Sequence, residues 1–408
     1  MQTNINQKFQ TNPDVAEAES ILRSCVHCGF CTATCPTYQL LGDELDGPRG
    51  RIYLIKQVLE GGDVTAKTQL HLDRCLTCRS CETTCPSGVR YSRLLEIGRG
   101  IVEQQVGRSF VAGGKHWLLR KTIPYPKRFA ALLAAGRLFK PLLPAGLKNK
   151  IPAVQDKLAP CAVENIQPDR KMLVLKGCAQ SVTTANTNIA ATRVLNKLNI
   201  HLFDAPEAGC CGAVSQHLSA HEEGLNFMRR NIDAWWPSIE AGVEAIVITA
   251  SGCGVAVKEY ADQLKHDSVY AEKAAKVSEL AVDISQVIAK ELASVPALSG
   301  DLPSVAFHSP CTLQHGQQLA GGVEAILQQL GFTLTSVKDA HLCCGSAGTY
   351  SILQKDLSAQ LLNNKLASLQ SDQPDIIATA NVGCQMHLGS GADVPVQHWI
   401  ELVNQYLP

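Results

Sequence analysis

Cys25-x2-Cys28-x2-Cys31-x3-Cys35-Pro36 stands near the start of this chain and recurs as Cys75-x2-Cys78-x2-Cys81-x3-Cys85-Pro86. Three thiolates at this spacing can wrap around one corner of a cubane cluster, and the fourth, before proline, usually ligates a neighbouring cluster. The two runs therefore predict two [4Fe–4S] clusters. We expect the first on Cys25, Cys28, Cys31 and Cys85. We expect the second on Cys75, Cys78, Cys81 and Cys35.

A pair of four-cysteine zinc sites in a non-redox scaffold protein is the alternative, because Cys-x2-Cys pairs also bind zinc. Zinc sites commonly use two such pairs, whereas each run here is a triple followed by a fourth cysteine before proline. This spacing favours clusters.

Length and composition agree with an intracellular, multidomain redox protein. The 408 residues, 45% of them hydrophobic, suit two or three domains. Lys+Arg and Asp+Glu both number 37, so global charge does not indicate nucleic-acid binding. The 17 cysteines lie in metal-type groups and the N-terminus is polar, which favours a reducing compartment over disulfides. No run of apolar residues is long enough to predict a transmembrane segment.

Residues 1–104 read as a helical ferredoxin-type domain. Asn12-Pro13 is typical of a helix start, and a second apolar-periodic helix over 51–60 ends at Gly61-Gly62. Four arginines flank the cysteines: Arg49, Arg51, Arg74 and Arg79. They either favour the reduced, more negative clusters or are solvated surface charges.

Residues 105–170 form a basic linker. From Gln104 to Gln155 the chain has ten Lys or Arg and no Asp or Glu, with apolar residues between them. Basic amphipathic segments of this kind suit a membrane surface or a partner subunit, and an ordinary packed linker is the alternative.

Residues 171–408 contain an internal repeat. Cys178 precedes Cys210-Cys211-Gly212 by the same 32 residues that separate Cys311 from Cys343-Cys344-Gly345. A later pair, Cys253 and Cys384, completes the match. The corresponding cysteines are 133, 133 and 131 residues apart, which predicts two similar domains, 171–300 and 301–408.

Short apolar runs precede the repeat cysteines and alternate with helical stretches. Residues 172–175, 245–248, 304–307 and 375–378 are strand-like, and 189–198 and 323–330 are helical. This alternation predicts a pseudo-twofold pair of α/β domains with parallel sheets, and hence an α+β multidomain chain. In parallel sheets, sites form at the carboxyl ends of the strands, where these cysteines lie.

We expect the repeat cysteines to form a further cluster or redox site, and inert buried cysteines are the alternative. The set is Cys178, Cys210, Cys211, Cys253, Cys311, Cys343, Cys344 and Cys384. Four nearby histidines are candidate extra ligands or polar neighbours: His308, His315, His341 and His387. Cys161 stands alone in the linker and is expected to be inert.

These motifs resemble the iron–sulfur subunits of glycolate oxidase (glycolate dehydrogenase), which join a ferredoxin-type domain to two cysteine-rich CCG domains. The matching strings are Cys28-Gly-Phe-Cys-Thr-Ala-Thr-Cys-Pro36, Gly47-Pro-Arg-Gly-Arg51, Ser309-Pro-Cys-Thr-Leu-Gln-His315 and Cys343-Cys-Gly-Ser-Ala-Gly-Thr349. The iron–sulfur subunits of anaerobic glycerol-3-phosphate dehydrogenase and of heterodisulfide reductase are more distantly similar.

The resemblance implies a peripheral complex at the cytoplasmic side of the bacterial inner membrane. In that family an FAD subunit oxidises glycolate to glyoxylate, a second flavoprotein-like subunit accompanies it, and the iron–sulfur subunit passes electrons toward quinone. This chain has no Gly-x-Gly-x-x-Gly fingerprint of its own, in agreement with flavin on a partner. An equivalent subunit for lactate or glycerol 3-phosphate would look alike.

One departure from the wider pattern concerns a non-cubane cluster. In heterodisulfide reductase the CCG module ends in Cys-x-x-Cys. In this chain the residue three positions after Cys253 is Ala256, and the residue three positions after Cys384 is His387, so the last cysteine is absent from both motifs. Disulfide reduction is therefore not expected of this chain.

Overall fold

The computed structural model describes residues 1–142, 158–159 and 170–408. Its N-terminal body is helical, as the sequence predicts. The α-helices of this body are Pro13–Ser24, Phe30–Ala33, Pro36–Leu41, Pro48–Leu59, Ala66–Asp73, Ser80–Thr83 and Tyr91–Val106. Short 3₁₀ turns cover Gln7–Phe9 and Glu44–Asp46.

Local sequence signals explain where these helices begin. Asn12 Oδ1 accepts a hydrogen bond from the Asp14 N–H at 3.0 Å, and Pro13 occupies the first helical turn. Thr65 and Thr68 form a capping box at the start of Ala66–Asp73. The helices bury one apolar core, to which Leu22, Ile55 and Leu95 belong. The two cysteine runs occupy the turns around the four-residue helices Phe30–Ala33 and Ser80–Thr83.

Two helices of the predicted linker, Phe110–Thr122 and Pro126–Leu138, lie on the surface and contain no buried residue. A 3₁₀ turn, Lys140–Leu142, follows them. The rest of the predicted linker, residues 143–157 and 160–169 with Cys161, lies outside the described residues.

Residues 170–408 contain two four-stranded sheets, and every strand pair in them is parallel. The first sheet has the order β2-β1-β3-β4, with strands Arg170–Val174 (β1), Ile200–Phe203 (β2), Ile246–Ile248 (β3) and Ala281–Asp283 (β4). The second has the order β6-β5-β7-β8, with Ser304–His308 (β5), Thr333–Leu334 (β6), Ile376–Thr379 (β7) and Val396–His398 (β8). The identical order confirms the predicted repeat and fold class.

The sequence-based prediction found the two central strands of each sheet and missed all four edge strands. The helices around the first sheet are Gln180–Thr183, Asn186–Lys197, Ala213–His217, His221–Glu240, Ser251–Lys258, Tyr260–Gln263, Ala271–Leu280 and Ile284–Glu291. A 3₁₀ turn, Leu292–Ser294, follows them. The helices around the second sheet are Gly322–Gln329, Tyr350–Leu353, Lys355–Leu369, Val382–Gly389 and Trp399–Tyr406, and Thr312–Gly316 forms a π-helical turn.

The side chains on the two faces of each sheet pack into two different cores. Val174 of β1 and Val305 of β5 belong to one core that both domains share. Leu173 and Ala306, the neighbours in sequence, face separate outer cores. Across the domain boundary, the helix Asn186–Lys197 packs on Trp399–Tyr406, and Ile284–Glu291 packs on Gly322–Gln329. The two domains therefore form one pseudo-twofold unit.

Ion pairs join the helical body to the first of these domains. Arg79, which lies between two cysteines of the second run, forms a bidentate ion pair with Glu259. Lys265 pairs with Glu17 at 2.9 Å. Thr83 Oγ1 also hydrogen-bonds His315 Nδ1 of the second domain at 2.9 Å. The second cysteine run is therefore held against both domains.

Candidate metal centres

The first cavity of the helical body has a volume of about 430 Å³. Its lining includes Cys25, Cys28, Cys31, Cys81 and Cys85. Four of these are the cysteines that the sequence assigns to one cluster. Cys28 is exposed, so this cavity opens at the protein surface. Gly29 has a φ of +85°, a left-handed conformation that turns the chain around the cavity.

The second cavity has a volume of about 290 Å³ and lies next to the first. Its cysteines are Cys35, Cys75, Cys78 and Cys81. The sequence assigns these four to the other cluster, and Cys81 lines both cavities.

Hydrogen bonds reach two of the sulfurs at the second cavity. The Tyr91 hydroxyl donates to Cys75 Sγ at 3.6 Å, and the Thr77 N–H donates to the same atom at 3.4 Å. Thr37 Oγ1 lies 3.3 Å from Cys35 Sγ. Hydrogen bonds to ligand sulfurs raise the reduction potential of a cluster, so these groups would tune a cluster held by Cys35 and Cys75. The sequence did not single them out.

The four flanking arginines have different environments. Arg51 is fully buried and lines the second cavity, where its Nη2 lies 3.4 Å from Asp46 Oδ1. Arg74 pairs with the other oxygen of Asp46 at 2.8 Å. Arg49 lines the first cavity and pairs with Glu44 at 2.7 Å. The alternative of solvated surface charge therefore does not describe Arg51.

These cysteines suit a cluster better than a single zinc ion. Tetrahedral zinc–thiolate bonds of about 2.3 Å place ligand sulfurs roughly 3.8 Å apart. Among the described residues, only two groups of three ligand atoms lie within 4.8 Å of one another, and neither contains any of these eight cysteines. Burial, together with the nearby Cys25, raises the pKa of Cys31 to about 11, so a bound cation would favour the ionised form of this thiol.

The cysteines of the first α/β domain form a continuous row. The thiol of Cys210 lies next to those of Cys178 and Cys211, and the thiol of Cys211 lies next to that of Cys253. Tyr125, beside the linker helices, packs with Phe227 against Cys178 and Cys210. This places the row beneath the linker.

The second α/β domain repeats this row with one addition. Cys311 and Cys343 have sulfurs 3.9 Å apart, and the thiol of Cys344 lies next to those of Cys343 and Cys384. His308, the last residue of β5, lies with Cys344 and Cys384 in one of the two groups of three.

Of the four candidate histidines, only His308 joins the thiols in such a group. His387 Nε2 lies 3.2 Å from Ser358 Oγ, and His315 Nε2 lies 3.1 Å from the His341 carbonyl oxygen.

Lys365, a buried lysine near the second row of cysteines, was not identified from the sequence. Burial lowers the pKa of Lys365, whereas the charges of Cys344 and Cys343 raise it, so its ammonium is close to the row.

Glycine after each cysteine pair has a packing role. Gly212 and Gly345 have φ values of +93° and +90°. A Cβ at Gly212 would lie 2.8 Å from the Gly224 carbonyl oxygen of the helix His221–Glu240. A Cβ at Gly345 would lie 2.8 Å from the Ser358 carbonyl oxygen of the helix Lys355–Leu369. The absence of a side chain at these glycines therefore lets the two longer helices approach the paired thiols closely.

The second cavity is in direct contact with the second α/β domain. Leu76, Cys311, Cys343 and Tyr350 form one buried cluster, and Cys78 packs against it. The Tyr350 hydroxyl donates to the Arg74 carbonyl oxygen at 3.1 Å.

No described helix is both long and apolar enough to cross a bilayer.

Comparison with known proteins agrees with this architecture. Residues 21–89 match the 4Fe-4S dicluster domain, and residues 172–258 and 305–389 each match the cysteine-rich CCG domain. These features define an iron–sulfur protein that carries two [4Fe–4S] clusters beside a pair of CCG domains.

Relatives that match almost the whole chain identify its family. The chain is 57% identical over 407 residues to the glycolate oxidase iron-sulfur subunit of Escherichia coli K12, covering 100% of this chain and 99% of that protein. It is 30% identical to a probable glycolate oxidase iron-sulfur subunit of Bacillus subtilis 168, covering 94% and 92%. The chain belongs to the glycolate oxidase iron–sulfur subunit family and is an electron-transfer subunit of an oxidoreductase.

Proposed function

We propose that this chain carries electrons from a flavoprotein that oxidises glycolate to glyoxylate. Its likeness to the Escherichia coli subunit over the whole of both chains is the observation that carries the proposal. A partner subunit bears FAD, a second flavoprotein-like subunit accompanies it, and the electrons pass to a membrane quinone or another acceptor. A [4Fe–4S] cluster supplies one-electron transfer, which suits the stepwise removal of two electrons from a reduced flavin.

The cavity linings support the assignment of ligands. We assign the first cluster to Cys25, Cys28, Cys31 and Cys85. We assign the second to Cys35, Cys75, Cys78 and Cys81. Cys81 lines both cavities, and the triple Cys75-x2-Cys78-x2-Cys81 supports its place with the second cluster.

The partner flavoprotein docks at the first cavity. Cys28 is exposed there, and three large hydrophobic side chains of the same region are also exposed to solvent. Val26 is 67% exposed, Phe30 61% and Tyr53 46%. Exposed apolar side chains grouped around a redox centre are typical of a contact surface. The second cavity, enclosed against the CCG domains, then lies further along the electron path.

A lactate-oxidising complex is the second candidate. A relative named lactate utilization protein A, from Bacillus cereus B4264, is 27% identical over 248 residues and covers only 57% of this chain. The lower identity and partial coverage favour glycolate.

The substrate test uses the whole complex, isolated anaerobically through a tag on this chain. We expect glycolate to bleach the flavin and then give the EPR signal of reduced clusters, with D-lactate, L-lactate and glycerol 3-phosphate much slower. Faster cluster reduction by a lactate isomer or by glycerol 3-phosphate would reassign the complex.

The surface helices Phe110–Thr122 and Pro126–Leu138 support peripheral membrane attachment at the cytoplasmic face of the inner membrane. Phe110 is 97% exposed and Trp117 55% exposed, and Lys or Arg residues stand between such apolar positions. Apolar side chains that insert beside basic ones are typical of interfacial helices.

Replacing both Phe110 and Trp117 by serine should weaken binding to anionic vesicles by about tenfold or more, because two large apolar side chains no longer insert. Vesicle co-sedimentation measures this, and Val269→Ser, which changes a side chain 67% exposed outside these helices, is the matched control. Unchanged vesicle binding together with loss of a flavoprotein subunit would show that the helices contact a partner instead.

A further inference from the structure

The histidine at the end of β5 is buried and has no hydrogen-bond partner within the described part of the chain. His308 is 1% exposed, and neither ring nitrogen is hydrogen-bonded. Leaving a buried imidazole unpartnered costs free energy that a folded protein normally avoids. An unpartnered polar group at this depth therefore calls for a ligand.

The surroundings of His308 supply the rest of a metal site. One of its nitrogens and the sulfurs of Cys344 and Cys384 all lie within 4.8 Å of one another. Bonds of about 2.0–2.3 Å to a tetrahedral ion bring such ligand atoms to roughly 3.5–3.8 Å, so small side-chain movements close the site. Each ligand comes from a different element: β5, the Cys-Cys-Gly loop and the helix Val382–Gly389.

From this geometry we propose that the second CCG domain binds one zinc ion through His308, Cys344 and Cys384, separately from the two [4Fe–4S] clusters. A mixed nitrogen and sulfur donor set at tetrahedral spacing is typical of zinc. Cys343, the residue before Cys344 in the Cys-Cys-Gly loop, supplies the fourth ligand.

Polar groups around the proposed zinc ligands orient these ligands and stabilise their negative charge. Asn381 Nδ2 donates a hydrogen bond to Cys384 Sγ at 3.6 Å, which orients that sulfur and stabilises its ionised form. The His308 carbonyl oxygen accepts from Thr379 Oγ1 at 3.0 Å, fixing the end of β5. The buried Lys365 ammonium, close to the same thiols, adds positive charge.

The repeat provides an internal comparison. In the first CCG domain, Leu175 stands at the position of His308, three residues before the first cysteine. The four cysteines of that domain form no group of three within 4.8 Å. The site therefore belongs to the second domain alone, and its ligands occupy the row of thiols that begins at Cys311, beside Cys78.

The test is elemental analysis of the full chain, purified anaerobically with its clusters. We expect about one zinc per chain beside about eight irons and matching sulfide. His308→Leu, which copies the residue of the first domain, should lower zinc to below about a tenth per chain and leave iron unchanged. His308→Cys, which restores a ligand, should retain zinc.

Two further measurements make the outcome decisive. Cys253→Ser, the counterpart of Cys384 in the first domain, should leave zinc unchanged. Growth with cobalt should give thiolate-to-cobalt absorption bands that are absent in His308→Leu. Wild-type protein with full iron but no zinc would overturn the proposal, as would zinc that survives His308→Leu. About twelve irons, four of them lost in His308→Leu, would instead indicate a third cluster.

Discussion

Replacing Cys81 by serine is expected to remove one cluster and to stop electron flow through this subunit. Cys81 is 7% exposed and lies at both cavities, where a serine hydroxyl is a poor ligand for iron. Iron should fall from about eight to about four per chain. Glycolate-dependent acceptor reduction should fall by at least about 100-fold, because one step of the relay is missing.

The same variant should leave glycolate able to bleach the flavin of the assembled complex, since that step belongs to the partner. Ser80→Ala is the matched control, because it removes a buried hydroxyl that has no hydrogen-bond partner among the described residues. Stopped-flow absorbance separates flavin reduction from cluster reduction. Loss of flavin reduction in a fully assembled complex would contradict the relay role.

Replacing Arg51 by methionine is expected to lower both stability and the reduction potential of the second cluster. The guanidinium is fully buried, bonds the His71 carbonyl oxygen at 2.7 Å and lies against Asp46. Its removal leaves Asp46 less compensated, at a cost of about 3–5 kcal/mol in the free energy of unfolding. The loss of a positive charge beside the cluster should make its potential more negative by on the order of 50 mV.

EPR-monitored redox titration and chemical denaturation measure these two effects. Arg23→Met is the matched control, because Arg23 pairs with Glu19 on an exposed helix face and should change neither quantity appreciably. A potential that moves upward, or does not move while both clusters remain, would show that Arg51 acts only in folding.

Much of this architecture could be predicted because its signals are local. The cysteine runs and the Asn12-Pro13 helix start depend on short spacings, and the repeat in 171–408 is marked by cysteine spacings that recur in both halves. The edge strands were missed because they are brief and partly exposed, as at Thr333–Leu334, where neither residue is buried. Edge strands lack the continuous apolar run that marks a central one.

The candidate zinc site shows what local patterns leave out. His308 was one of four histidines near the motifs, and its position in the sequence did not distinguish it from His315 or His387. What separates His308 is the alternation of β5, which directs Phe307 toward the shared core and His308 toward the paired cysteines. The burial of Arg51 likewise depends on Asp46, which reaches the same interior from a separate turn.

The contact between Cys78 and the second CCG domain has a consequence for maturation and repair. A cluster at the first cavity can be inserted or replaced in the finished molecule, because Cys28 faces solvent. At the second cavity Cys78 packs on Cys311 and Cys343, and Arg79 is held by Glu259. We therefore expect iron to be exchanged more slowly at the second cavity than at the first, because Cys78 is less exposed than Cys28 and already contacts the second CCG domain.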